Sequence, residues 1–261
     1  TASWSASHAV ETTGGTVTLG SPVTVVGMTF NTTGYALEGN GHMLTIGGPI
    51  TVTNVDNTVV IDSAITLSAS TSFGGAGNLT LETTSSINGA GFAISKSGAG
   101  TTTLGATVTN AGVLTVSGGV LTLSGSMTRD TYLSTAGFNV TGGTLNITGT
   151  LGTSALIATG QSGFSGNSVT NFSGIGFFSG ASSTFRIGEG SNATFNVTAG
   201  TMTLGTSSAG LVLGRSNAAA QGFMNISGGQ VIVTASATLV RIGAGYSNAE
   251  TSGASVMTLS G

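Results

Sequence analysis

Phe195-Asn196-Val197-Thr198-Ala199-Gly200-Thr201-Met202-Thr203-Leu204 is the stretch that decides the fold. Apolar and polar residues alternate on both sides of a Thr-Ala-Gly step. That is the period-two signal of strands with one buried face. Phe195, Val197, Met202 and Leu204 point inward on this pattern, and Asn196 and Thr203 point outward. The glycine makes the step a corner, because it reaches positive φ without a Cβ clash. The phrase is therefore two short strands meeting at a bend. Its apolar face is too small to fold alone and must stack on a copy of itself.

Copies are present. The phrase returns as Met224-Asn225-Ile226-Ser227-Gly228-Gly229-Gln230-Val231-Ile232-Val233. It also occurs from Phe138 to Ile147, from Leu114 to Leu123, and as an opening half at Met257-Thr258-Leu259-Ser260-Gly261. The starts at 114, 138, 195, 224 and 257 give steps of 24, 57, 29 and 33. The long step reads as two coils of 28 and 29, with a weaker copy at Asn171-Phe172-Ser173-Gly174-Ile175-Gly176-Phe177. A second element recurs in phase at Arg186-Ile187-Gly188, Leu213-Gly214-Arg215 and Arg241-Ile242-Gly243. Each coil then holds about three strands, with the third side absorbing the length variation. The predicted fold is all-β: a right-handed parallel β-solenoid of about nine or ten coils, ~45 Å long. Phe138, Val140, Phe195, Val197, Met202, Leu204, Met224, Ile226, Val231 and Val233 are its expected core.

Composition agrees. Of 261 residues 45 are Gly and only 2 are Pro, and the 39% that are hydrophobic alternate, which favours a packed core over disorder. Five basic against eight acidic residues, net −3, leave no electrostatic footprint for nucleic acid. No cysteine is present, so there is neither a disulfide framework nor a thiolate metal site. No run approaches the ~18 apolar residues of a membrane helix. The chain begins with Thr1, which fits a removed export leader.

Residues 1–13 fall outside the repeat and are expected to form an N-terminal cap or docking segment, with Trp4 covering the first coil; 14–261 form one solenoid domain. From Gly14 to Leu81 alternating strands follow one another, with turns at Gly14-Gly15, Asn40-Gly41, Gly47-Gly48-Pro49 and Gly74-Gly75. Ile50, Ile65 and Leu79 step by 15 and 14 residues, which reads as the same architecture in looser register. The Ala-rich stretch 217–221 is too short to nucleate a helix.

Ile94-Ser95-Lys96-Ser97-Gly98-Ala99-Gly100-Thr101-Thr102-Thr103-Leu104, followed by Asn110-Ala111-Gly112-Val113-Leu114-Thr115-Val116, resembles the autotransporter-associated β-strand repeat. That repeat reads K-x-G-x-G-x-L-x-L. The Gly-Gly-Thr-Leu corner at 142–145 and the Arg-Ile-Gly strands are similar to the same group. Trp4, the Phe30 strand and Tyr35-Ala36-Leu37 resemble the opening of such passengers. The resemblance implies an exported bacterial β-solenoid, extracellular or on the cell surface, and brings no catalytic residue with it.

The residues themselves point away from catalysis. His8 and His42 lie 34 apart without a cysteine partner, so no zinc site is expected. Asp56 and Asp62 flank Val59-Val60-Ile61 and are read as solvated turn residues before a hydrolase pair. Three aspartates in all are too few for a calcium roll. Lys96 and the four arginines sit apart from acids, unlike a lyase site. The Thr-x-Thr steps at 16, 51, 101, 107 and 201 are too uneven for one ice-binding column. Glu189 and Arg215 occupy equivalent places one rung apart, and Asn139, Asn196 and Asn225 share an outward phase, with Asn196 over Asn225 the firm pair. No enzyme activity, cofactor or metal is expected. The predicted role is a structural extracellular subunit that joins identical copies head to tail into a filament, with Trp4, Met257 and Leu259 as assembly contacts. The alternative is a surface adhesin or secreted passenger acting as a spacer, with host or matrix glycans as partners.

Overall fold

Parallel in-register pairing between successive coils governs the architecture, and every strand pair described is parallel. The computed structural model describes residues 2–4, 14–128, 138–152, 162–180, 185–206, 211–215, 220–233, 241–242 and 255–260. Among them the chain is a β-solenoid without helix. Each coil contributes one strand to each of three faces. The first face is an eleven-stranded sheet running from Ala2–Trp4 to Arg241–Ile242. The second and third faces form one nineteen-stranded sheet, because Tyr35–Ile46 and Thr58–Leu67 run through the corner between them.

The phrase at 195 is two strands, Ala193–Val197 and Thr201–Thr206, on the second and third faces. Phe195 pairs with Met224 and Val197 with Ile226, so like residues stack as the alternation requires. Phe195, Val197, Met202 and Leu204 are buried. Phe164, Phe185 and Phe195 pack with ring centroids 5.1–5.3 Å apart, Phe164 and Phe185 from the first face and Phe195 from the second. The expected core is buried with three exceptions. Ile226 is half-buried on the second face; on the third, Val231 is half-buried and Val233 is 38% exposed, because among the described residues no strand lies beyond Gln230–Val233 there.

The register corrects the phasing of the copies. Phe138–Val140 lies on the first face, stacked on Leu114–Val116, and Phe195 belongs to the second. Below Phe195 in its own column stand Thr170 and then Leu145. The step of 57 is therefore two coils of 25 plus a shift of 7 residues from one face to the next, not coils of 28 and 29. The weak copy at Asn171 is real, but a buried Thr170 stands where its neighbours carry Phe195 and Leu145. Likewise Ile50, Ile65 and Leu79 lie on the first, third and second faces, so steps of 14 or 15 are two-thirds of a coil.

The phasing was ambiguous because two corners make the same demand on the chain. Between the second and third faces, Gly125, Gly149, Gly174 and Gly200 form a column. A Cβ on Gly149, Gly174 or Gly200 would stand 1.9, 2.0 or 1.8 Å from the carbonyl oxygen of the glycine one coil below. The first corner, between the first and second faces, uses Gly119 and Gly143 in the same way, at φ 63° and 70°. Extra length falls mostly between the third face and the first, and in the last coils also between Arg215 and Gly222 and between Ile242 and Val256.

Val197 lies between Phe172 and Ile226 in the column, fully buried. Val197→Asp would bury an unpaired carboxylate and is expected to cost ~4 kcal/mol or more, whereas Thr203→Asp on the outward side should change stability by about 0.5 kcal/mol. Chemical denaturation checks this, and equal shifts would reverse the inward and outward assignment.

Candidate functional site

A polar concavity lies at the corner between the second and third faces. It is a cleft of about 430 Å³ lined by Glu38, Asn40, His42, Asp62, Ser63 and Thr84, with Gly39, Gly41 and Ala64. Its cause is local. Glu38 pairs with Asp62 and Met43 with Ala64, so Gly39 to His42 stand opposite Ser63 alone. The surplus residues turn outward through Asn40 and Gly41, whose φ of 48° and 79° fit a type I′ turn. Ser63 Oγ donates toward the His42 and Ala64 carbonyls, at 3.3 and 3.2 Å. Asp62 Oδ1 accepts from Thr84 Oγ1 at 2.7 Å and from Ser85 Oγ at 3.4 Å.

This geometry brings His42 and Asp62 to one cleft and adds Glu38, which the sequence pattern did not single out. Its only sequence signal is the separation of 24 from Asp62, one coil, which acquires meaning once the register is known. Asp56 is elsewhere, exposed in the turn that precedes Thr58–Leu67, while Asp62 lies beyond Val59-Val60-Ile61 in that strand. The Ser63 hydroxyl faces backbone carbonyls, so it forms no nucleophile–base couple with His42. No group of three metal-ligating side chains gathers among the described residues. The cleft is equipped to hold a polar molecule by hydrogen bonds. His8 lies outside the described residues.

A second constellation runs up the outward side of the second face. Asn225 Nδ2 donates to Asn196 Oδ1 at 2.9 Å, Asn196 to Asn171 at 2.8 Å, and Asn171 to Asn146 at 2.9 Å. Asn146 Nδ2 reaches Thr122 Oγ1 at 3.4 Å. In-register parallel stacking puts identical side chains ~4.8 Å apart, which suits an amide ladder. The expected pair of Asn196 and Asn225 is thus half of a four-residue ladder. Asn139 is not a member: it lies on the first face between Thr115 and Gly163. The Thr-x-Thr steps are likewise divided among all three faces.

Lys96 is the third feature. It occupies an inward position between Phe73 and Val116 and is 1% exposed. Its ammonium bends to the corner and donates to the carbonyls of Ser97, Gly98 and Gly118 at 2.7, 3.0 and 3.4 Å. The Lys and Gly of the K-x-G phrase thus act jointly, the lysine tying two successive corners together through carbonyls that the glycine turns toward it. Burial away from water lowers its pKa from the ordinary 10.5. Farther along the first face, Glu189 is the register partner of Arg215, as the spacing suggested. The Glu189 carboxylate is also paired within its own strand with Arg186, at 2.5 Å.

The expected assembly residues lie at opposite ends of the stack. Ala2–Trp4 pairs with Met28–Phe30 at one end of the first face, Trp4 in register with Phe30. Residues 5–13 lie outside the described residues. At the other end Val256–Leu259 stacks on Gly222–Ile226, Met257 over Met224 and Leu259 over Ile226. Comparison with protein-family models, curated proteins and solved structures finds no match.

Two outcomes follow. Asn171→Ala removes one donated and one accepted ladder bond and is expected to cost about 1–2 kcal/mol. Asn139→Ala on the first face should stay within about 0.5 kcal/mol, and thermal melts of both variants make the comparison. For Lys96 the folded state gives up its proton first. Between that lowered pKa and 10.5 the unfolded chain holds more protons, so stability rises with pH through that window. Urea titrations across alkaline pH should show this rise relative to Lys96→Met; parallel profiles would remove the assignment.

Proposed function

We propose that this chain is a structural extracellular protein, a β-solenoid subunit whose coils stack head to tail on those of identical copies to form a filament. One observation carries the reading. Successive coils stack by parallel, in-register pairing of like residues, as in the inward column of Phe172, Val197, Ile226 and Leu259. A coil of a second copy can make the same contact that every coil makes with the next. A translation of this kind does not close on itself and so propagates. Low charge supports the reading, since only 5% of residues are charged and little opposes the approach of a like surface. The resemblance to exported solenoid repeats supports the extracellular setting. No catalytic role is assigned.

The polar cleft on the flank of the stack favours a second reading, a surface adhesin or secreted passenger in which the solenoid is a spacer and host or matrix glycans are the partners. The two separate by assembly state. Sedimentation velocity over a concentration series and negative-stain microscopy should show filaments for the full chain and short particles for Leu259→Glu. A chain that remains monomeric at high concentration overturns the filament and leaves the spacer.

A further inference from the structure

We infer that Asn40 is a site of spontaneous chemical modification: it deamidates through a cyclic imide with Gly41, placing a third carboxylate at the cleft of Glu38 and Asp62. The sequence holds two Asn-Gly steps, Asn40-Gly41 and Asn88-Gly89. Asn-Gly is the most reactive context for this chemistry because the following residue has no Cβ to obstruct ring closure. The fold treats the two steps in opposite ways.

At Asn88 both reacting groups are held. Asn88 sits in the ladder between Thr66 and Thr109. Its Oδ1 accepts from the Ala90 amide at 3.0 Å, and the Gly89 amide donates to the Thr109 carbonyl at 2.7 Å. The nucleophilic nitrogen is therefore committed to a rung, and closing the imide would break it. At Asn40 neither restraint applies. Residues 39–42 fall in the register gap, where neither the preceding nor the following coil supplies a ladder partner. Asn40 and Gly41 are exposed, and a Cβ built on Gly41 would meet no atom within 4 Å. The ring has room to close and water has access to open it.

The step balances without an outside oxidant or reductant. The Gly41 nitrogen, losing its proton, attacks Asn40 Cγ; the N–Cγ bond forms, the Cγ–Nδ2 bond breaks, and Nδ2 leaves with that proton as ammonia. Water then adds to either imide carbonyl. Opening at Cγ gives aspartate, and opening at the Asn40 main-chain carbonyl gives isoaspartate. The added backbone methylene of isoaspartate falls in a turn that carries no rung, so the coils on either side keep their register. Net charge moves from −3 to −4 by the one new carboxylate. The chain would thus carry a one-way mark of its age at the mouth of its polar cleft.

The test uses the full chain at mildly alkaline pH, sampled over time and read by peptide mass spectrometry, native and in urea. In urea both Asn-Gly steps should convert at similar rates. In the native chain Asn40 should convert and Asn88 should stay amidated, while an acidic species grows on ion exchange. Asn40→Ser should abolish that species. Native conversion at Asn40 no faster than at Asn88, or an acidic species that persists in Asn40→Ser, overturns the inference.

Discussion

The close approach of one coil to the next is the constraint on which the rest depends. Parallel strands ~4.8 Å apart leave no space at a corner for anything but backbone. The Gly125–Gly149–Gly174–Gly200 column shows this directly, since each successive Cβ would fall within 2.0 Å of a carbonyl oxygen. The abundance of glycine is thus a packing requirement. It costs chain entropy, which the continuous apolar interior offsets by burying inward side chains on most strands.

Once the coils are that close, polar side chains are drawn into axial interactions. On the outward side of the second face, four asparagines donate in one direction along the stack. At the corner beneath Gly118, the Lys96 ammonium replaces an apolar inward residue and is satisfied by three carbonyls from two coils. Both devices resist sliding of one rung against the next. A slip by one residue would turn inward side chains outward and break every ladder bond together. Where the ladder is interrupted, at Gly39 to His42, a polar cleft opens. That stretch of backbone is released from the rungs, which is why the candidate cleft and the proposed modification of Asn40 both fall there.

Alternation, corner glycines and the recurrence of one phrase made the solenoid legible in the sequence, together with the inward residues Phe195, Val197, Met202 and Leu204 and the pairing of Phe195 with Met224. The candidate site was less legible. His42, Asp62 and the Asn40-Gly41 turn were visible one by one, and Asn196 over Asn225 was visible as a pair. Glu38 was not, because a lone glutamate on a strand carries no signal until its neighbour across the coil is known. The same holds for Asn146 and Asn171, which belong to the ladder in place of Asn139.

The sequence by itself determined the class of fold and the inward or outward side of its alternating residues, because both follow from local periodicity and from glycine at the bends. Only the tertiary structure decided the phase. Two corners of each coil impose the same steric demand, so they select the same phrase, and the spacing of copies cannot say which corner a copy occupies. Hydrogen bonding between coils resolves this: it moved Phe138 to the first face, divided the step of 57 into 25, 25 and 7, and brought Glu38 to Asp62. Those placements depend on contacts 24 or more residues apart along the chain, and they are fixed by which backbone donor meets which acceptor.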